Sequence, residues 1–201
     1  MPDVDRIYFT DLDIKEGCHQ TMPVGKGHVV KNDFYDVRKM NLNHIPGLPI
    51  LKQRFVKICI PDEIFNNYEY SVYVDCKRPY SIDFERILSY LEPHTDILLQ
   101  QHRARDCAYD EGKFLLRKGI YDSEAILRQM DFYKKEKFPA HNGLYVTGRL
   151  FRRHTKRLKD FLKLWWEQVE SFSYRDQLSF PYAMWKDDMR ISTFPSRHRR
   201  R

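Results

Sequence analysis

The chain has 201 residues, 42% hydrophobic and 31% charged, with a formal net charge of +7 at pH 7. That length bounds it to one domain with at most a small appendage, and that balance excludes both a disordered tail and a membrane-embedded protein. Aromatic residues make up 14% of the chain, enough apolar bulk for a sizeable core without disulfide or metal staples.

No apolar run reaches the ~18 residues that a helix needs to cross a bilayer, so no transmembrane segment is expected. The acidic start, Met1-Pro2-Asp3-Val4-Asp5, lacks the apolar stretch of a secretory signal. The positive charge is concentrated. Arg197, Arg199, Arg200 and Arg201 close the chain, and the stretch from Arg149 to Lys163 carries seven basic residues against Asp160 alone. A stripe and tail of this kind either meet phosphates, nucleic acid or an anionic surface, or form a solvated helix face and a frayed end. Cys18, Cys59, Cys76 and Cys107 are widely spaced, with no C-x-x-C and no Cys/His set at zinc-finger spacing. The chain has no N-x-S/T site. Four reduced thiols in a cytoplasmic protein are the expectation.

In chain order, Ile7-Tyr8-Phe9-Thr10 reads as a short strand ending at Asp11, and His28 to Lys31 as a weaker one. Pro49 to Ile60 has Leu51, Phe55 and Ile58 on one helical face, and Pro61 stops it. Tyr70 to Val74 alternates aromatic and β-branched residues up to Asp75 and is the best strand. Asp83 to Leu91 is helical, Asp96 to Gln100 a strand, and Asp122 or Ser123 caps a helix carrying Ile126, Leu127, Met130 and Tyr133. Gly143 to Thr147 is the last predicted strand. A long helix from about Phe151 to Phe172 follows, with Phe151, Thr155, Leu158, Leu162, Trp165, Val169 and Phe172 as its stripe.

Strands alternating with helices predict an α/β fold with a mainly parallel sheet flanked by helices. One domain is expected over residues 1–196, with 197–201 as a basic tail. Ligands in such sheets collect at the carboxyl ends of strands. That rule singles out Thr10-Asp11, Asp75-Cys76-Lys77, Gln101-His102-Arg103 and the loop after Thr147.

Asp75 leads the candidates for chemistry. A carboxylate at a rigid strand end can hold Mg²⁺ or Mn²⁺ against a diphosphate, with Lys77 and Arg78 beside it for the same phosphates; its commoner role is to end a strand in a turn. His102 and Arg103, with Arg105, suit an anion or a structural ion-pair cluster. Tyr174-Arg175-Asp176-Gln177 offers Asp176 as a general base and Gln177 as a hydroxyl partner, or Asp176 as a helix N-cap. Trp165 reads as core. Trp166, one step off the stripe, is core or a platform for a sugar ring.

The ordered pieces Phe9-Thr10-Asp11, Arg54 with Lys57, Tyr73-Val74-Asp75 and His102 through Cys107 to Tyr109 resemble the TOD/MUCI-type glycosyltransferase-like domain family. The resemblance continues through Gln129, Tyr133, Phe138-Pro139, Gly143-Leu144, Arg152 with His154, Trp165-Trp166 and Arg175 to Phe180. It implies a GT-A-like (Rossmann-like) fold and transfer of a sugar from a nucleotide-sugar donor to a glycan or other hydroxyl acceptor. It implies donor-binding roles for Thr10, Asp11, Arg54, Lys57 and Asp75, which Lys77, His102 and Arg103 join by their place at strand ends, and a catalytic carboxylate at Asp176. Arg175, Gln177 and Trp166 would meet the acceptor or sugar. Asp75 and His198 would hold a divalent Mn²⁺ or Mg²⁺.

The acidic motif here is Asp75-Cys76-Lys77 rather than D-x-D, so Lys77 stands where a second carboxylate is usual. The family pattern also places a strand and a Gly-containing turn ahead of the F-T-D strand. This chain starts a few residues before Phe9, so a domain lacking that first unit is expected. Two rival expectations stand beside the enzyme: a degenerate glycosyltransferase-like scaffold, and a basic nucleic-acid-binding module supported by the Arg tail. No nucleic-acid motif is present, so no specific nucleic-acid partner is expected, although peripheral contact with an anionic surface is.

Overall fold

A computed structural model of the chain describes residues 7–10, 17–19, 22–24, 28–30, 35–75 and 83–195, with side chains described from residue 40 onward. The N-terminal part contributes five strands: β1 (Ile7–Thr10), β2 (Gly17–His19), β3 (Met22–Val24), β4 (His28–Val30) and β5 (Tyr35–Lys39). β5 lies between β1, to which it is parallel, and β2, to which it is antiparallel, while β3 and β4 pair antiparallel.

The remainder runs α1 (Pro49–Ile58), α2 (Asp62–Asn67), β6 (Tyr70–Val74), α3 (Phe84–Leu88), β7 (Ile97–Gln101), α4 (Ala108–Lys118), α5 (Ser123–Lys135), β8 (Tyr145–Arg153), α6 (Lys156–Ser171), α7 (Asp176–Asp187) and β9 (Ser192–Thr193). The main sheet has the order β6-β8-β7-β9. The α/β class and the flanking helices agree with the sequence. The strand directions do not, because β8 is antiparallel to both β6 and β7, and only β7 and β9 are parallel. The expected mainly parallel sheet is therefore a mixed one.

The reason is the number of helices between β7 and β8. A single crossover helix returns the chain to the far end of the sheet and gives a parallel neighbour. Here α4 and α5 form a pair that brings the chain back to the end it left, so β8 starts opposite Gln101 and runs the other way. No clear sequence pattern announces α4, which is charge-rich and interrupted by Gly112. That glycine has a packing use: a Cβ there would sit 3.0 Å from Met130 Sδ of α5, so its absence lets the two helices approach.

The predicted helix from Phe151 to Phe172 also divides. Residues through Arg153 pair in β8, and Thr155 caps α6 by accepting a hydrogen bond from Leu158 N at 3.0 Å. Phe151 is thus a strand residue. Period-two alternation explains the choice, since Leu150 faces one side of the sheet with Ile97 and Leu99, and Phe151 the other side with Leu98. The run of basic residues is split between β8 and α6 as well, and Arg152 is buried.

Helices cover both faces of the sheet. Ile58 of α1, Leu158, Phe161, Leu162, Trp165 and Val169 of α6 and Phe180 of α7 pack on Ile97, Leu99 and Leu150. Phe84, Ile87 and Leu88 of α3 pack near Leu98 and Phe151. α4, α5 and α7 enclose a second apolar cluster in which the Tyr133 and Tyr182 rings stack at 4.2 Å. Asp122 caps α5, accepting from Glu124 N and Ala125 N at 3.0 and 3.2 Å, as the sequence implies. α1 ends at Ile58 with Cys59 as its C-cap, two residues short of the expected end at Ile60, and Pro61 stands at the N-cap of α2, a helix with no clear signal in the sequence. Among the described residues no helix is long and apolar enough to cross a membrane.

Candidate active site

The end of β6, the middle of β8, one face of α1 and the first residue of α7 converge. Pro49 opens α1, and three-residue spacing puts Arg54 and Lys57 on the same face, both buried against the sheet. The carboxyl end of α1 is anchored from below, where buried Arg152 donates NH1 to the Lys57 carbonyl at 2.7 Å. A cation at that end suits the helix dipole. Burial pulls the Arg152 guanidinium down to about 10, with Tyr73 and Cys59 opposing the shift.

Two carboxylates define the site. Asp176 opens α7 and is 1% exposed. Its Oδ2 receives Lys57 Nζ at 2.5 Å and the Thr147 hydroxyl at 2.9 Å, while Arg54 Nε lies 3.5 Å from Oδ1. Thr147 also accepts from Lys57 Nζ at 3.3 Å, closing a triangle. Burial by itself pushes the Asp176 carboxyl up, but the charges of Lys57 and Arg54, with the hydrogen bonds from Lys57 and Thr147, outweigh it and hold the carboxyl below its ordinary value. Burial lowers the Lys57 ammonium, and Asp176 and then Asp75 oppose that shift.

Asp75 follows the last residue of β6 and is half-buried. Its backbone N–H continues the ladder to Gly148 O at 2.9 Å, which fixes the carboxylate at the sheet edge. Gln53 Nε2 and the Tyr73 hydroxyl each donate to Oδ1 at 3.1 Å. Gln53 also joins Tyr73 OH and accepts from Arg54 NH1, so the neutral clamp on Asp75 is coupled to the charged cluster. The other oxygen, Oδ2, lies where a Cβ on residue 148 would come within 2.9 Å of it. Gly148 is what leaves that space.

The neighbours of Asp176 are directed elsewhere by helical geometry, which turns successive side chains by about 100°. Arg175 donates NH2 to Glu111 Oε1 at 3.0 Å and NH1 to the Tyr121 hydroxyl at 3.1 Å, locking α7 to α4. Glu111, fully buried, also takes Arg105 Nε at 2.6 Å. Gln177 donates to the Tyr145 carbonyl at 2.9 Å, at the start of β8. His102 accepts from Ala104 N and Arg105 N at 3.3 and 3.0 Å, closing the turn after β7. Burial, followed by the Arg105 charge, lowers its imidazole. Arg103 is exposed on that turn. Trp166 is half-buried with its ring edge-on to Phe55 at 5.2 Å, packed against the main core.

Of the residues singled out from sequence, the structure therefore brings together Arg54, Lys57, Asp75 and Asp176. It places His102, Arg175, Gln177 and Trp166 in packing and turn contacts. Thr10 lies in β1, opposite Lys39. The Thr10 side chain, Asp11, Lys77, Arg78 and His198 lie outside the described residues. Gln53, Thr147 as an Asp176 partner, Gly148 and Glu111 are not among the residues the sequence singles out. Gln53 adjoins Arg54, and Thr147, expected to end a strand ahead of a ligand loop, lies inside β8, which continues to Arg153; neither carries a charge that draws notice.

An α/β domain with a strand-end carboxylate beside buried cations is the setting into which the comparisons fall. Residues 50–201 match the family described as TOD1/MUCI70, glycosyltransferase-like domain, and the chain belongs to that family. A curated relative described as a probable hexosyltransferase MUCI70, from Arabidopsis thaliana, is 28% identical over 127 residues, covering 58% of this chain and 22% of the relative. The chain thus spans about a fifth of that relative's length. No solved structure matches it.

Proposed function

We propose that the domain is a glycosyltransferase that moves a hexosyl group from a nucleotide-sugar donor to a hydroxyl of a glycan acceptor, with the donor diphosphate lying against Asp75. The observation that carries this reading is the setting of Asp75: Oδ1 clamped by Gln53 and Tyr73, and Oδ2 in a space kept open by Gly148. Family membership and the named hexosyltransferase relative support the reaction class.

A divalent Mn²⁺ or Mg²⁺ fits one carboxylate of this kind, since such ions are held by one or two carboxylates together with substrate phosphates. Asp75 would hold it, with His198 as a further ligand, and when bound it would neutralise charge on the leaving diphosphate. The chain's own residues do the remaining work. Gln53 and Tyr73 keep the Asp75 carboxylate from rotating. Lys57 and Arg54 place positive potential near the same edge, which favours a developing diphosphate charge. Lys77 would add to it.

For Asp176 the proposed role is positioning. Its carboxylate is 1% exposed, bonded to Lys57 and Thr147, and held below its ordinary value, all of which make it a poor proton acceptor. It holds Lys57 and Arg54 where they are. A second reading, a scaffold without turnover, is favoured by one observation: Lys57 and Asp176 neutralise each other.

Release of nucleoside diphosphate from a panel of nucleotide sugars, with Mn²⁺ and glycan acceptors, separates the readings. Turnover of one donor that disappears in Asp75→Asn supports the enzyme. Turnover unchanged in that variant removes Asp75 from the site. No turnover of any donor, by a folded chain that also binds no diphosphate, leaves the scaffold.

A further inference from the structure

Away from that site, three metal-binding side chains from separate places meet at the start of α4. Cys107 is the N-cap residue, Asp110 lies in the first turn, and His141 comes from the connection between α5 and β8. The sulfur, a carboxylate oxygen and a ring nitrogen lie within 4.8 Å of one another. Cys107 is a free thiol, 2% exposed, and makes no capping hydrogen bond to the helix. The His141 backbone is left-handed, with φ 58°.

A fourth residue turns this from a coincidence of side chains into a built arrangement. Asp106 Oδ1 holds His141 Nδ1 at 2.8 Å. A carboxylate on one imidazole nitrogen is how proteins fix the tautomer and ring orientation of a ligating histidine, and it leaves the other nitrogen for the ion. We propose that Cys107, Asp110 and His141 bind a zinc-class divalent ion, with Asp106 orienting His141 and a water completing a tetrahedral shell.

The donor set selects the ion. A thiolate with an imidazole and a carboxylate suits Zn²⁺ or Co²⁺, whereas Mg²⁺ and Ca²⁺ take oxygen shells. Bonds of about 2.0–2.3 Å in a tetrahedron separate ligand atoms by about 3.3–3.8 Å, so the observed group needs a modest closure. Asp110 is half-buried, and His141 and Asp106 are both exposed, so the His141–Asp106 pair can shift inward as a unit without displacing core side chains. One cation competes: Lys113 Nζ lies 3.3 Å from Asp110 Oδ1 in an exposed pair, and such a pair is weak. On binding, the Cys107 thiol gives up its proton to solvent and the sulfur takes the ion. The ion ties the turn carrying His141 to the start of α4. This site is separate from the ion proposed at Asp75 and does not depend on it.

Titration of the full chain with Co²⁺, a spectroscopic substitute for Zn²⁺, tests it. The expected result is a thiolate-to-cobalt charge-transfer band that saturates at a single ion per chain and is displaced by Zn²⁺. Cys107→Ser should abolish the band, and Asp106→Asn should weaken binding about 10–100-fold. His141→Ala removes a ligand from the surface without touching the core, so its loss of the band cannot be ascribed to unfolding. No thiolate band at saturating Co²⁺, or a band unchanged in both Cys107→Ser and His141→Ala, overturns the proposal.

Discussion

Asp75 and Asp176 both act on Lys57, yet the fold holds them in opposite ways. Asp176 is buried, ion-paired to Lys57 and Arg54 and hydrogen-bonded by Thr147. Asp75 is half-buried at a strand end, gripped on one oxygen by neutral donors. A carboxylate committed to buried cations stabilises the fold around it and has little left to offer a ligand. One fixed by neutral groups keeps its charge available. On the proposed reading, the contrast separates a carboxylate that shapes the site from one that serves it.

The largest expected effect is on stability. Asp176→Ala leaves Lys57 buried without its partner and should cost about 3–5 kcal/mol, read from the urea midpoint. Lys57→Met combined with Asp176→Leu should recover part of that loss, because Lys57 no longer stands unpaired and Arg54 keeps its bonds to Gln53 and the Tyr174 carbonyl. A double variant no more stable than Asp176→Ala would contradict the pairing.

Asp75→Asn should behave in the reverse manner. Urea stability should fall by no more than about 1 kcal/mol, while diphosphate-releasing turnover should drop about 10²–10³-fold. Gly148→Ala pushes a methyl group to within 2.9 Å of Asp75 Oδ2. The resulting displacement should reduce turnover about 10²-fold, and a Gly148→Ala enzyme with unimpaired turnover would show that the Asp75 position is not critical. Thr147→Val, which keeps the shape and removes the hydroxyl on Asp176, should cost about 2 kcal/mol in urea denaturation.

The smallest effect is one of pH. The folded Asp176 carboxyl titrates below its ordinary value because Lys57 and Arg54 outweigh its burial. Its stabilisation is therefore complete above the unfolded carboxyl value of about 4 and is lost as pH falls through the lower folded value. Urea midpoints of the native chain should decline below about pH 4, and the Lys57→Met, Asp176→Leu variant should show a shallower decline.

Much of this was visible in the sequence, and what was hidden has physical causes. The alternation in Tyr70–Val74, the Asp122 cap and a helix break ahead of Pro61 are local signals, and each appears in the fold, the break two residues earlier than expected. The direction of β8 is not local. It depends on α4, whose helical pattern is weakened by Gly112, a residue explained only by the approach of Met130. Arg149 to Arg153 fits a helix stripe as well as a strand until β6 and β7 flank it. Asp75 and Asp176 stood out as charges beside strand and helix ends, and Arg54 and Lys57 through the family resemblance alone. That Asp176 would face Lys57 rather than solvent required the start of α7 to meet Lys57 of α1 and Thr147 of β8. Gln53 and Gly148 have no chemical signature of their own, and only the position of Asp75 gives them a role.

The most direct test of the account is nucleotide binding to the full chain and to Asp75→Asn, followed by thermal shift across nucleoside diphosphates and nucleotide sugars, with and without Mn²⁺. A ligand at about 100 times its Kd stabilises the folded state by about 2.7 kcal/mol, a readable shift. The account predicts that one diphosphate stabilises the native chain, more so with Mn²⁺, and that Asp75→Asn loses the shift while keeping its unliganded melting point. A native chain that no diphosphate stabilises, or an Asp75→Asn variant stabilised as much as the native chain, would contradict it.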